Sequence, residues 1–142
     1  MKHYKKGYTQ GVYDMFHIGH LNLIRGAKVH CDELVVGINS NELVESYKHK
    51  TPVVDESNRR EIVANIKGVD EAVIVHTLNK VELQKLIGFD AVFIGDDWRG
   101  SDRWTQTESD LAELGVDVVY LPYTKGVSST QLRPEHPNAV EE

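Results

Sequence analysis

The feature that most constrains this chain is a repeated alternation: short apolar runs, each followed by a stretch whose apolar residues recur at helical spacing. Short unbroken apolar runs are how strands buried on both faces read, and such strands belong to parallel sheets. Residues 8–12, 33–38, 71–75, 91–94 and 117–121 are the strands on this reading, the last stopped by Pro122. Helices are expected over residues 20–28, with Leu21, Ile24 and Ala27 facing inward, over a short piece at 41–46, and over 57–67, where Ile62, Val63 and Ile66 are apolar. Two more are expected over 79–87 and 107–114. Asn79 and Glu82 have capping-box spacing, and Gly68, Gly88 and Gly115 stand where helices should close.

Strand and helix alternating over the whole length predict an α/β fold: a Rossmann-like, doubly wound sheet of about five parallel strands with helices on both faces. A length of 142 residues suits one domain, residues 1–142, with a polar tail from residue 134 expected to fray. The net charge of −6 argues against a nucleic-acid surface, which wants a basic face. Any phosphate site must then be a local basic cluster on an acidic body. Cys31 is the only cysteine, so no internal disulfide or cysteine metal cage is expected, and it reads as a small buried side chain. The first six residues are charged with no apolar core behind them, so no signal peptide is expected. No apolar run approaches the ~20 residues of a membrane span. No membrane partner and a cytoplasmic address are the expectations.

Between the first strand and the first helix lies Gly11-Val12-Tyr13-Asp14-Met15-Phe16-His17-Ile18-Gly19-His20. A helix N-terminus presents unpaired N–H groups and a positive dipole end, which suits phosphate. Imidazoles at His17 and His20 can donate N–H bonds to phosphate oxygens, and Gly19 lets phosphates approach the backbone. The other histidines (His3, His30, His49, His76 and His136) have no comparable setting. Lys48, His49 and Lys50, followed by Arg59 and Arg60, supply a local basic cluster, which could equally be a solvated loop and helix start. Gly95-Asp96-Asp97-Trp98 follows the fourth strand, and Tyr123-Thr124-Lys125-Gly126-Val127-Ser128-Ser129-Thr130 the fifth. Ligands in doubly wound sheets bind beyond the carboxyl ends of the strands, where these clusters would all fall.

The His-x-Gly-His turn resembles the signature of the nucleotidyltransferase superfamily, and the chain from Gly7 to Arg133 resembles the cytidylyltransferases acting on glycerol phosphate, phosphocholine or phosphoethanolamine. Lys48-His49-Lys50-Thr51-Pro52-Val53 with Arg59 is similar to the family's basic loop, and Gly68-Val69-Asp70-Glu71 to its step into the third strand. Gly95-Asp96-Asp97-Trp98 is most like the glycerol-3-phosphate enzymes, and Gly126-Val127-Ser128-Ser129-Thr130 resembles the end of the catalytic domain. The resemblance implies transfer of a cytidylyl group from CTP to a small phosphorylated alcohol, with Mg²⁺, giving a CDP-linked product such as CDP-glycerol and pyrophosphate. It also implies a homodimer, and a setting in teichoic-acid, capsule or lipid-headgroup precursor synthesis.

On that resemblance His17, His20 and Lys50 are the catalytic candidates. Nucleotide contacts are expected from Gly11, Val12, Tyr13, Asp14, His17, Gly19, His20, Gly95, Asp96, Asp97, Trp98, Tyr123, Thr124, Gly126, Val127, Ser128, Ser129 and Thr130. Acceptor contacts are expected from Lys48, Lys50, Arg59 (as a bidentate fork) and Lys80, the last of which reads equally as a solvated surface lysine. Asp14 is read as orienting a histidine or meeting Mg²⁺ through water; Asp96 and Asp97 as doing likewise or capping a turn, with the metal ligand left open.

Two departures bear on substrate. Tyr123 and Lys125 stand where the family has arginine and glutamate, and Lys125 is expected to restore the charge that Tyr123 lacks. Gly-Val-Tyr-Asp is closer to the choline and ethanolamine type, and His76-Thr77-Leu78 replaces a tryptophan usual in the glycerol-phosphate enzymes. Another phosphorylated acceptor (glycerol-2-phosphate, phosphocholine, phosphoethanolamine or a phosphonate) therefore stays open. So do an adenylyltransferase of the same fold and a non-catalytic nucleotide-binding module.

Overall fold

The structure, a computed structural model, describes residues 2–122. The expectations for Tyr123 to Thr130 and for the tail from residue 134 lie outside them. The strands are β1 (Tyr4–Gly11), β2 (Cys31–Asn39), β3 (Glu71–Val75), β4 (Ala91–Gly95) and β5 (Asp117–Leu121). Helix α1 (Ile18–Val29) joins β1 to β2, and α2 (Asn41–Lys48) and α3 (Glu56–Ala64) join β2 to β3. Helix α4 (Lys80–Ile87) leads to β4, and a 3₁₀ turn (Asp96–Trp98) with α5 (Asp102–Ala112) leads to β5.

All strand pairs are parallel, in the order β3-β2-β1-β4-β5. The chain thus starts in the middle of the sheet, winds outward to β3, and returns to the other side of β1 for β4 and β5. The loops after β1 and β4 leave toward opposite faces, which makes their junction the switch point of a doubly wound sheet.

Side-chain alternation along the strands divides the core in two. Leu34, Val36, Ile38, Ala91 and Phe93 pack with Ile24 and Ala27 of α1 and Val63 of α3. Tyr8, Val35 and Val92 face the other way and pack with Leu83 of α4 and Trp104 and Leu111 of α5. Helices therefore cover both faces, as the unbroken apolar runs predict.

Several boundaries differ from the sequence expectation. Strand β1 starts at Tyr4, four residues early, because Lys6 sets its ammonium on the Ile87 carbonyl (2.9 Å) and so joins a strand its charge had disguised. Helix α5 starts at Asp102 rather than at residue 107: the Ser101 hydroxyl caps it by accepting the Trp104 N–H, and Trp104 is buried. Helix α3 ends at Ala64, with Asn65 as its cap, and α5 at Ala112; Gly68 and Gly115 serve later turns, with φ +101° and +75°. Gly88 does close α4, in the left-handed region. Asn79 caps α4 as expected, accepting from Val81 and Glu82, but its own N–H goes to the Thr77 hydroxyl.

Candidate active site

Helix α1 begins two residues before the expected position, with His17 as its N-cap. The His17 Nδ1 accepts the Gly19 N–H (3.1 Å), and the His20 Nδ1 accepts the His17 N–H (3.2 Å). This is the reciprocal logic of a capping box, built from two imidazoles. The rings stack with centroids 3.8 Å apart and planes within 20°.

Those bonds decide the tautomers. A neutral imidazole has one acceptor and one donor nitrogen, so an Nδ1 that accepts leaves the proton on Nε2. Both rings therefore present Nε2–H donors. The Nε2 of His17 is buried and meets no protein acceptor among the described residues. Both rings are also held neutral: burial lowers the His17 pKa, and burial, the His17 ring and the Lys48 charge, in that order, lower His20 to about 3. Tyr13 and Phe16 wall the His20 ring, each with centroids 5.2 Å away.

The turn feeding this helix is strained. Tyr13 and Met15 adopt φ of +54° and +49°, a region that L side chains seldom occupy. Tyr13, read as a nucleotide contact, is instead buried in the core, its ring closing over Gly11. A Cβ at Gly11 would come within 3.1 Å of that ring, so the close packing uses the glycine. Gly11 ends β1 and Gly95 ends the neighbouring parallel strand β4, so the histidine turn and the Gly95–Trp98 segment both leave the sheet at the switch point.

Two sequence assignments are corrected. Arg59 was expected to fork an acceptor phosphate, but it is 1% exposed and its guanidinium is committed inward. Its Nε donates to the Val54 carbonyl (2.8 Å), Nη1 to the carbonyls of Val12 (2.8 Å) and Asn39 (2.7 Å), and Nη2 to Asn41 Oδ1 (2.7 Å). Asp14, read as a histidine-orienting or metal-binding group, is 3% exposed and accepts the N–H groups of Val53 and Val54, both at 2.8 Å. Together these side chains lock the segment after the basic loop against the histidine turn. They are scaffold for the site.

Lys48 ends α2, and its charge is the third of the causes that lower His20. His49 takes the left-handed conformation (φ +58°) and turns the chain there, leaving Lys50 exposed. Lys80 opens α4 and is only 6% exposed, which removes the solvated-lysine alternative. Its Nζ donates to the Leu78 carbonyl (2.9 Å) and lies 5.3 Å from the Trp104 ring centroid. Burial, then the Arg103 charge, lowers this ammonium to about 7. Asp96 and Asp97 are exposed, and burial followed by the Asp96 charge raises Asp97. Trp98 packs against the second core under the Arg103 guanidinium, 5.1 Å from its ring.

Sequence reading missed Phe16, Arg103 and Trp104 around these groups, and the polar side chains Gln10, Asn39 and Tyr47. The available signal was weak: a glutamine inside an apolar strand and an asparagine at a strand's end.

A parallel doubly wound sheet whose first helix is opened by two Nε2–H imidazoles defines a nucleotide-handling α/β protein. The chain belongs to the cytidylyltransferase-like family, whose description matches residues 8–135. It is 35% identical to glycerol-3-phosphate cytidylyltransferase of Bacillus subtilis over 133 residues, covering 92% of this chain and 96% of that protein. The Staphylococcus aureus protein of the same name is 30% identical, covering 92% and 94%. The bifunctional protein HldE of Hyphomonas neptunium is 31% identical over 130 residues, and the chain spans only 26% of its length. Among solved structures, a lipopolysaccharide core biosynthesis protein from Thermoplasma volcanium superposes with a TM-score of 0.71 at 23% identity, covering 87% of this chain and 99% of that one, a likeness of fold.

Proposed function

We propose that the protein transfers a cytidylyl group from CTP to a small phosphorylated alcohol, with glycerol-3-phosphate the favoured acceptor. The observation that carries this reading is the stacked His17–His20 pair at the start of α1, both rings neutral and presenting Nε2–H. The relatives of matching length, named for glycerol-3-phosphate, support the acceptor. An acceptor phosphate oxygen forms a bond to the α-phosphorus as the bond to the bridging oxygen breaks, and pyrophosphate leaves with that electron pair. The acceptor is already anionic, so no general base is required. The chain's part is alignment and charge stabilisation.

His17 and His20 donate to the triphosphate where charge gathers on the leaving group. Lys48 and Lys50 screen the repulsion between the two anions, and Lys80, at the start of α4, stands at the same edge of the sheet. Gly126 to Thr130, on the resemblance, complete the phosphate contacts. Among the described residues no group of three or more His, Cys, Asp or Glu side chains is placed to hold a metal, and both Asp14 oxygens are engaged. Mg²⁺, expected with CTP, would neutralise phosphate charge, with Asp96 and Asp97 the exposed carboxylates that would meet it. The expected homodimer is checked by light scattering on the eluting protein.

The decisive experiment is pyrophosphate release with CTP and Mg²⁺ against glycerol-3-phosphate, glycerol-2-phosphate, phosphocholine, phosphoethanolamine and phosphonates. Turnover with CTP and glycerol-3-phosphate is expected. Turnover with ATP alone would replace the reading by adenylyl transfer, and CTP binding without release would leave a binding module.

A further inference from the structure

Gln10 is a polar residue inside an otherwise closely packed central strand, and its amide is fully used. Nε2 donates one hydrogen to Asn39 Oδ1 (2.8 Å) and the other to the Thr77 carbonyl (3.0 Å), while Oε1 accepts the Tyr8 hydroxyl (2.9 Å). Asn39 is 3% exposed and passes the chain on, its Nδ2 donating to the Tyr47 hydroxyl (3.1 Å). Only one orientation of each amide satisfies all four contacts: turning Gln10 would set its oxygen against the Asn39 and Thr77 oxygens, and turning Asn39 would set N–H against N–H. The chain runs from the middle of the sheet, across the end of β2, to the last turn of α2.

Tyr47 directly precedes Lys48, and the helix ends one residue later as His49 turns the backbone. The far side of the basic loop is already held by Asp14 and Arg59 on Val53 and Val54. The near side is held from within the sheet by the Asn39–Tyr47 bond. The same Gln10 amide also grips Thr77, whose loop leads to Lys80. One half-buried amide thus references two separate lysine-bearing segments to β1, the strand that carries the histidine turn.

We propose that Gln10 and Asn39, acting through Tyr47, are positioning residues that set the Lys48–Lys50 loop and the Thr77–Lys80 loop for the acceptor phosphate. This rests on the transfer reaction proposed above. Lysines are long and flexible, so their aim depends on how firmly the backbone beneath them is held. In a reaction whose catalysis is alignment, a misplacement of about 1 Å costs on the order of a hundredfold. The nucleotide side of the site is held separately, by the histidine cap.

The test is steady-state kinetics with each substrate varied in turn, CTP affinity by calorimetry, and thermal unfolding, on the wild-type protein and Tyr47→Phe. The variant keeps the ring and removes only the hydroxyl that Asn39 reaches. The acceptor KM should rise about tenfold, with CTP affinity within about twofold and little change in Tm. Gln10→Ala, which also frees Thr77, should raise it further. Adding Tyr47→Phe to Gln10→Ala should then cost less than the two single effects combined, because both cut one chain. An unchanged acceptor KM in an active Tyr47→Phe would overturn the proposal while leaving the reaction intact. Equal losses for CTP and acceptor with a matching fall in Tm would overturn it too, as a purely structural role. A wild-type protein that turns over no acceptor would overturn both readings.

Discussion

A single histidine side chain does two jobs at the start of α1. His17 Nδ1 caps the helix, and that same bond leaves Nε2–H facing the site. The two roles separate in substitutions. Asparagine is a strong N-cap but offers no donor at the Nε2 position, so His17→Asn should keep the Tm within ~2 °C while kcat falls by ~10²–10³. An Asn variant with near-normal kcat would remove the donor role. His20 and Lys80, both lowered chiefly by desolvation, also fix how stability should vary with pH. His20 titrates at about 3 folded against 6.5 unfolded, so the unfolded chain binds more protons between those values. Stability should be full above pH 6.5 and fall as acid approaches 3; His20→Gln should flatten that fall in thermal scans. Lys80 titrates at about 7 folded against 10.5 unfolded, so stability should rise with pH across that interval. Lys80→Met should lose the alkaline rise, and an unaltered slope would show that the ammonium is not buried in solution.

Elements are tied to one another by a few buried polar groups rather than by apolar contact alone. Arg59 of α3 bonds carbonyls from the histidine turn, the end of β2 and the segment after the basic loop. Arg59→Lys cannot reproduce that spread of donors, and Arg59→Met leaves buried carbonyls unpaired. Either should cost on the order of 3 kcal/mol in chemical unfolding. If Arg59 were instead the acceptor's fork, Arg59→Met would raise the acceptor KM with stability unchanged. Gly37 of β2 makes room for Tyr8: a Cβ there would overlap the Tyr8 hydroxyl, the group that bonds Gln10. Gly37→Ala should therefore destabilise the sheet by about 1–3 kcal/mol and raise the acceptor KM, read by the same unfolding and kinetic measurements.

At the scale of the whole molecule, the switch point between β1 and β4 gathers groups from the start of α1, the end of α2 and the Gly95–Trp98 turn. A nucleotide bridging them should stabilise the fold by about 2.7 kcal/mol at a hundred times its Kd, with CTP raising Tm more than ATP. The linear pattern was enough for much of this arrangement. Apolar runs placed β3 and β5 at their observed bounds, because each is a short edge strand whose apolar residues stop at a polar neighbour or at Pro122. His17-Ile18-Gly19-His20 was legible because capping and phosphate binding are local chemistry, decided within one turn of helix. Strand order, the inward commitment of Arg59 and Asp14, and the burial of Lys80 were not legible. A charged side chain reads as a solvent or ligand group until its distant partners are known, and those partners are carbonyls, amides and rings that any sequence contains. Arg59 meets Val12 across 47 positions of chain, and Asp14 meets Val53 across 39. The α/β class and the imidazole pair lie in the linear order of residues; which charges serve as scaffold depends on the folded sheet, because burial and hydrogen bonding are properties of neighbours in space.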